Sequence, residues 1–431
     1  MMNKKFVRYI SVAIITSILI NSYVIVDGMF IGQKIGDIGL SAINIAWPIT
    51  AILQSFGIAF GISGGIYITR NKRKNSSTKS AILLMILIFS IMASAILFLL
   101  ETPLLTLFGA SGKTKELSIE YLNIILLASP FQLLGCALPQ LLKNSNKIRI
   151  ATFSSIISII VNFILDYLFI IVLNMSLFGA ALASSISMLA ASLFSFGFYF
   201  KELSKPKFNK NLVKEFFLGS SAPFILNYSY AFILILTNAL CMKYGGNEAV
   251  AAYTLLSYIL YIANATAQAA GDGVQPLFSE NSTKIYKARE NHKMLGLCLI
   301  ISLMLIAILN VLFYTFRANL KELYNLSATA ANYFDSAIRY YLFGFLAISI
   351  TKVSCSYFYS INAKIKANIL TIIEPLVLTP IMFLILCPSL KLDGLWIGFT
   401  IIQYILLFIT LQFLYVSYKK ERTYGWLFYY R

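Results

Sequence analysis

The sequence predicts an all-α integral membrane protein of twelve transmembrane helices, arranged as two six-helix lobes that are parallel repeats. Three observations carry this: apolar runs of membrane length recur from end to end, basic residues fall on alternate connections, and the two halves resemble each other at a nearly constant offset. Of 431 residues, 59% are hydrophobic and only 12% charged. That is too little charge to cover a water-facing surface.

The apolar runs lie at roughly 9–31, 40–69, 80–100, 119–142, 150–173, 178–200, 216–242, 248–279, 293–316, 333–360, 368–387 and 394–418. Each is long enough for a hydrocarbon core of ~30 Å, which takes about 20 helical residues. What remains is too short for a separate soluble domain. The first run follows Lys4, Lys5 and Arg8 but has no small-residue cleavage site after a short apolar core, so it reads as an uncleaved first span.

A net charge of +18 invites a nucleic-acid reading, but its distribution excludes one. The side holding both termini and the even-to-odd loops carries 26 Lys and Arg, among them Arg70, Lys72, Arg73, Lys74 and Lys79; the opposite side carries seven. This is the positive-inside bias, and it places both termini in the cytoplasm and the chain in the cytoplasmic membrane.

Shifting the chain by about 210 residues sets Gly61 on Gly271, and Ala42-Ile43-Asn44 on Ala252-Tyr253-Thr254. At a shift of about 217, Lys147-Ile148-Arg149 meets Lys364-Ile365-Lys366. Six spans per half give both halves the same orientation, as in parallel-repeat transporters. Residues 1–200 then form the N-lobe, 201–215 a cytoplasmic linker and 216–431 the C-lobe.

Asp27 and Asp166 lie inside apolar runs, where a carboxylate costs roughly 2.5–3.5 kcal/mol at a helix centre and marks a functional site by default. Their repeat equivalents, near Thr237 and Phe383, are not acidic, so the ionisable machinery belongs to the N-lobe. Ser155, Ser158, Asn162 and Asp166 share one helical face, and Tyr23 stands one turn before Asp27. At ~1.5 Å per residue, both acids lie roughly 25–30 Å from the cytoplasmic surface, with Ser184 at a similar level. One pocket of Asp27, Asn162, Asp166 and Ser184, beside Tyr23, suits a proton, taken up by a carboxylate, or Na⁺, held by hard oxygen ligands. The bland alternative is an Asp that caps a broken helix.

On the eighth span Tyr253, Ser257, Tyr261, Asn264, Gln268, Asp272 and Gln275 form a stripe with steps of three and four. It fits either a cavity wall that binds amphipathic organic cations through rings and amides or interhelical hydrogen bonding. Lys352 and Glu374 lie toward the cytoplasmic side of the tenth and eleventh spans, where Lys352 is expected to pair with Glu374 or Asp272, or to snorkel. The five cysteines fall singly and show no metal spacing. Glycines such as Gly57 and Gly61 suit close helix packing. No metal site, phosphate loop, catalytic triad or organic cofactor is indicated, and no obligate protein partner is evident.

Three strings carry a family resemblance. Tyr23-Val24-Ile25-Val26-Asp27-Gly28-Met29-Phe30-Ile31-Gly32 resembles the acid–glycine signature of the multidrug and toxic compound extrusion (MATE) transporters. Asn162-Phe163-Ile164-Leu165-Asp166, followed by Phe178-Gly179-Ala180-Ala181-Leu182-Ala183-Ser184, resembles their fifth- and sixth-span pattern. Gly271-Asp272-Gly273-Val274-Gln275-Pro276-Leu277 is similar to their eighth-span signature. The resemblance implies alternating access coupled to H⁺ or Na⁺, cationic lipophilic substrates, and an ion or proton site on Asp27, Asn162, Asp166 and Ser184. This chain departs from it at Tyr167, where a proline commonly stands, in having no proline in the first span, and in Ser279-Glu280-Asn281-Ser282, which lacks the usual glycine. The expected function is therefore a cation-coupled multidrug antiporter. A lipid-linked saccharide flippase of the wider superfamily is the alternative, although few basic residues lie within the spans. A polytopic membrane enzyme comes third.

Overall fold

The computed structural model describes residues 4–21, 23–70, 76–145, 147–200, 203–282 and 288–429; the side chains of 4–5, 16, 18–25, 200, 280–282, 288–289 and 420–429 are outside that description. Among the described residues, fifteen α-helices follow one another: α1 (Lys4–Asn21), α2 (Tyr23–Ile35), α3 (Asp37–Arg70), α4 (Ser76–Leu107), α5 (Gly112–Leu127), α6 (Ser129–Asn144), α7 (Ile148–Asp166), α8 (Ser176–Phe200), α9 (Lys210–Asp272), α10 (Gln275–Ser282), α11 (Ala288–Thr315), α12 (Arg317–Leu323), α13 (Ala328–Ser360), α14 (Lys364–Ile373) and α15 (Thr379–Tyr429). Wider π-helical turns follow α7 at Tyr167–Val172 and α14 at Glu374–Leu378.

These helices resolve into the twelve expected spans. α9 is two spans broken at Gly246, whose φ of 66° is open to glycine at no steric cost. α15 is broken likewise at Lys391, so its first part completes the span begun by α14. α5 and α6 together make one span bent by 61°, at a point where Pro130 opens the second helix and can donate no backbone hydrogen bond. α1 and α2 lie at the position expected for the first span.

The chain packs as two compact units. One comprises Val26–Ala251 with Tyr324–Ser327, the other Met1–Ile25, Ala252–Leu323 and Ala328–Arg431. These units group residues by packing, whereas the repeat halves group them by sequence order.

In the first unit α3 lies directly on α6. A Cβ at Gly57 or Gly61 would come within 2.7 or 2.5 Å of the Leu133 or Ala137 carbonyl oxygen, so only glycine lets the backbones meet. The first stretch of α9 joins this unit through rings and amides. Phe224 stacks on Phe56 at 4.1 Å and Phe216 on Phe60 at 4.8 Å. Asn44 and Asn238 exchange hydrogen bonds of 3.0 and 2.9 Å. Asn247 accepts from Thr114 at its side chain and from Ser41 at its backbone, each at 2.7 Å.

The second unit is centred on Tyr357, Phe358, Phe278, Phe6 and Ile10, and Tyr341 stacks on Phe399 at 4.0 Å. Asp335 takes Lys321 at 2.5 Å and Arg317 at 4.0 Å. Outward faces are apolar, as a lipid solvent requires: Ile88, Met92 and Leu99 on α4, and Ile300, Met304, Ile308 and Val311 on α11, are exposed. None of the five cysteines is in a disulfide. This is a multi-pass membrane protein.

Candidate functional site

α7 presents Asn162 and Asp166 one turn apart on a single face, 7% and 1% exposed. Directly after Asp166 the helix widens, and the Leu173 N–H reaches five residues back to Leu168 at 2.9 Å. Such π turns recur at functional sites because they re-aim side chains out of helical register.

α2 brings Asp27 opposite. Asp27, Phe30 and Lys34 share a face of α2, and two contacts hold that face against the end of α7. The Phe30 ring lies 6.1 Å from both Phe163 and Tyr167, and Lys34 Nζ donates to Asn174 at 2.7 Å. The Asp27 and Asp166 carboxyls consequently meet within hydrogen-bonding reach of each other. Asp27 Oδ1, Asp166 Oδ1 and Asn162 Nδ2 are buried with no hydrogen-bond partner among the described residues.

Two further tyrosines enclose the pair. Tyr121 of α5 is buried, with its hydroxyl near Ser184 on α8 and Thr50 on α3, and within electrostatic range of both acids. Tyr324, between α12 and α13, is fully buried and within electrostatic range of Asp27. Ser184 thus belongs to the acid site through Tyr121. The Tyr23 side chain is outside the described residues. Tyr121, Thr50 and Tyr324 were not anticipated. For Tyr121 a signal existed: Thr114, Ser118 and Tyr121 form a polar stripe on α5 with steps of four and three. Tyr324 has none, since it sits in a short connection far along the chain.

The second unit holds the other polar cluster. Asp272 accepts from Ser356 at 2.5 Å and Gln275 at 2.8 Å on one oxygen, and from Gln268 at 3.3 Å on the other. Gln268 and Asp272 are exposed; Tyr261, Asn264 and Gln275 are partly so. The upper part of the stripe turns inward: Tyr253 is 1% exposed and stacks on Trp396, and Ser257 bonds back to Thr254 of its own helix. The stripe is therefore divided between a packed end and an open, acidic end.

The expected ion pair of Lys352 does not form. Among the described residues, neither Glu374 nor Asp272 is bridged to Lys352, and Asp335 is the acid that takes up cations in this unit. Glu374 accepts from Gln403 at 2.6 Å, and Asp272 is already met by three neutral donors, so neither acid requires the ammonium.

Two carboxyls thus meet inside the spans of a multi-pass membrane protein that is helical through most of its described residues. The MatE family model matches residues 13–168. Multidrug export protein MepA of Staphylococcus aureus (strain MSSA476) is 28% identical over 273 residues, 60% of this chain and 60% of MepA. MepA of Staphylococcus saprophyticus is 28% identical over 279 residues, 62% of each chain. The aligned stretch thus spans about 60% of these relatives' length. The fold matches the inward-facing conformation of a multidrug resistance MATE transporter of the MOP superfamily, with TM-score 0.77, 18% identity and coverage of 95% and 99%. It also matches the MATE multidrug transporter DinF-BH, with TM-score 0.72, 23% identity and coverage of 96% and 95%. The chain is thus similar in sequence to MATE transporters, with the family model matching residues 13–168, and it shares their fold.

Proposed function

We propose that this protein is an antiporter that exports cationic amphipathic small molecules across the cytoplasmic membrane in exchange for entering H⁺ or Na⁺. Asp27 and Asp166 are the coupling pair. The observation that carries the reading is their meeting inside the spans with a buried, unpartnered oxygen on each. Two carboxylates in contact cannot both stay ionised unless a proton or a cation sits between them. The pair is thus a socket for one positive charge, and the oxygens of Asn162, Ser184 and Tyr121 are near enough in the fold to join it.

The exported class follows from charge exchange and from the relatives. A site that is filled by a cation from outside and emptied inside drives a cationic substrate the other way. The MepA relatives are multidrug export proteins, and DinF-BH is a multidrug transporter. In this chain the open end of the α9–α10 stripe, with Gln268, Asp272 and Gln275, supplies acid and amides for an organic cation, and Tyr261 a ring. The positive-inside bias of the loops supports both termini lying in the cytoplasm.

The test is accumulation of a cationic dye in everted membrane vesicles, wild type against Asp166→Asn, under imposed pH and Na⁺ gradients. Accumulation driven by one gradient and lost in the variant supports the antiporter and names its ion. A well-expressed wild type with no gradient-driven accumulation overturns it and brings lipid-linked saccharides forward as the substrate.

A further inference from the structure

The connection between α12 and α13 contains one side chain that does not behave like a loop residue. Glu322, Leu323, Asn325 and Ser327 are exposed and Leu326 is partly so, yet Tyr324 between them is fully buried. Tyr324–Ser327 also packs with the acid-bearing unit, although the helices before and after it, Arg317–Leu323 and Ala328–Ser360, belong to the other. Burying one aromatic ring from a four-residue excursion implies a built seat.

That seat has three parts. The Tyr324 backbone rests on Gly32 of α2, where a Cβ would run into the Tyr324 carbonyl. Asn325 follows with φ of 49°, a left-handed conformation that asparagine tolerates better than most residues, and it turns the chain away at once. Ser327 then closes the excursion on Asp37, the first residue of α3. Its N–H donates to Asp37 Oδ1 at 3.2 Å, and its hydroxyl is within reach of the same carboxylate.

The Tyr324 phenol lies near one member of the coupling pair, Asp27. Gly32 lies five residues beyond Asp27 on the same helix, about 7.5 Å at the usual helical rise, toward the outer end of the span. Tyr324 lies within electrostatic range of Asp27. Burial, and then the charge of Asp27, push the Tyr324 phenol well above the usual tyrosine range, so it meets the site as a neutral ring and hydroxyl.

We propose that Tyr324 is a further residue of the ion site: a plug that closes the outer route to Asp27 and Asp166, seated on Gly32 and latched by Asp37 to Ser327. Entry of the coupling ion from outside then requires this segment to lift. Since the segment is continuous in sequence with α12 and α13, movement of those helices is what lifts it. The role in coupling rests on the function proposed above, whereas the occlusion itself does not.

A quaternary-ammonium carbodiimide with glycine ethyl ester, added outside right-side-out vesicles of the full-length protein, tests the occlusion. Amide formation at Asp27 and Asp166 is followed by peptide mass spectrometry, without any transport. Wild type is expected to label slowly, and Tyr324→Ala faster by roughly tenfold or more, the factor that about 1.4 kcal/mol of lost closure gives. Tyr324→Phe keeps the ring and is expected to stay near wild type, and Asp37→Asn, which weakens the latch alone, to fall between. Labelling of Tyr324→Ala at the wild-type rate overturns the proposal, as does labelling of Tyr324→Phe as fast as Tyr324→Ala. If Tyr324→Ala is not monodisperse in detergent, Asp37→Asn decides: several-fold faster labelling supports the latch, and an unchanged rate overturns it. Vesicles without coupled export that still show slow wild-type and fast Tyr324→Ala labelling would reject the antiporter and leave the plug standing.

Discussion

Asp166 and Asp272 are both aspartates on membrane helices, and the fold treats them in opposite ways. Asp166 is 1% exposed and faces a second carboxyl, with Oδ1 unpartnered. Asp272 is exposed and accepts from Ser356, Gln268 and Gln275. A group left without donors gains most by binding something, while a group surrounded by donors is already a fixed anion. One position is therefore suited to a charge that comes and goes, the other to a constant charge that attracts cations.

The largest expected effect is at the acid pair. Asp166→Asn is expected to reduce gradient-driven dye export to background while leaving the protein as stable or stabler by about 1 kcal/mol, since a buried carboxyl with an unmet oxygen contributes little to folding. Asp27→Asn should do the same, and the double variant should be no worse than either single one, because groups acting as one unit are not additive. Thermal unfolding in detergent beside vesicle export checks both halves. Additive losses in export would show two independent sites.

At Asp272 the pattern should reverse. Asp272→Asn removes the charge and turns one of the two acceptor oxygens into an NH2 donor, and is expected to lower stability by roughly 1–3 kcal/mol, visible as a lower thermal midpoint. Export should remain coupled but need several-fold more dye for half-maximal rate. Equal loss of coupling at Asp272 and Asp166 would erase the contrast between the two sites.

The sequence made the first of these environments more legible than the second. Asn162 and Asp166 share a face by spacing alone, and an acid in an apolar run advertises itself through its cost. The twelve spans were equally plain, even where Gly246 and Lys391 break helices that run on nearly unbroken. Hidden were the things that depend on which helices touch. Tyr121 reaches Ser184 and Thr50 only once α3, α5 and α8 pack together, and Tyr324 arrives from some three hundred residues beyond Asp27. The partner of Glu374 was misjudged for the same reason: charge suggested Lys352, but Gln403, a neutral residue on α15, is what the packing brings.

Tyr121→Phe sharpens the comparison at smaller amplitude. The ring and its packing stay, while the hydroxyl facing Ser184 and Thr50 goes. Loss of one hydrogen-bonding group of about 0.5–1.5 kcal/mol corresponds to a two- to tenfold change. It should appear in the concentration of coupling ion needed for half-maximal export and leave the thermal midpoint nearly unchanged. A shift in dye concentration dependence alone would move Tyr121 from the ion site to the substrate path.

The smallest effect is expected at Lys352, and its size is the informative part. Removing one partner of a buried ion pair costs about 3–5 kcal/mol, because the other charge is stranded. Lys352 bridges neither of the acids expected to meet it, and Glu374 and Asp272 are each held by neutral donors. Lys352→Met keeps the aliphatic stem and removes the charge, so stability should move by no more than about 0.5 kcal/mol. With a positive charge gone from the unit that carries Asp272, cationic dye should be exported at equal or slightly lower half-maximal concentration. A drop of several kcal/mol would reveal an ion pair in the membrane that this arrangement of side chains does not contain, and Asp272 would then be a structural anion and not an attractor of substrate.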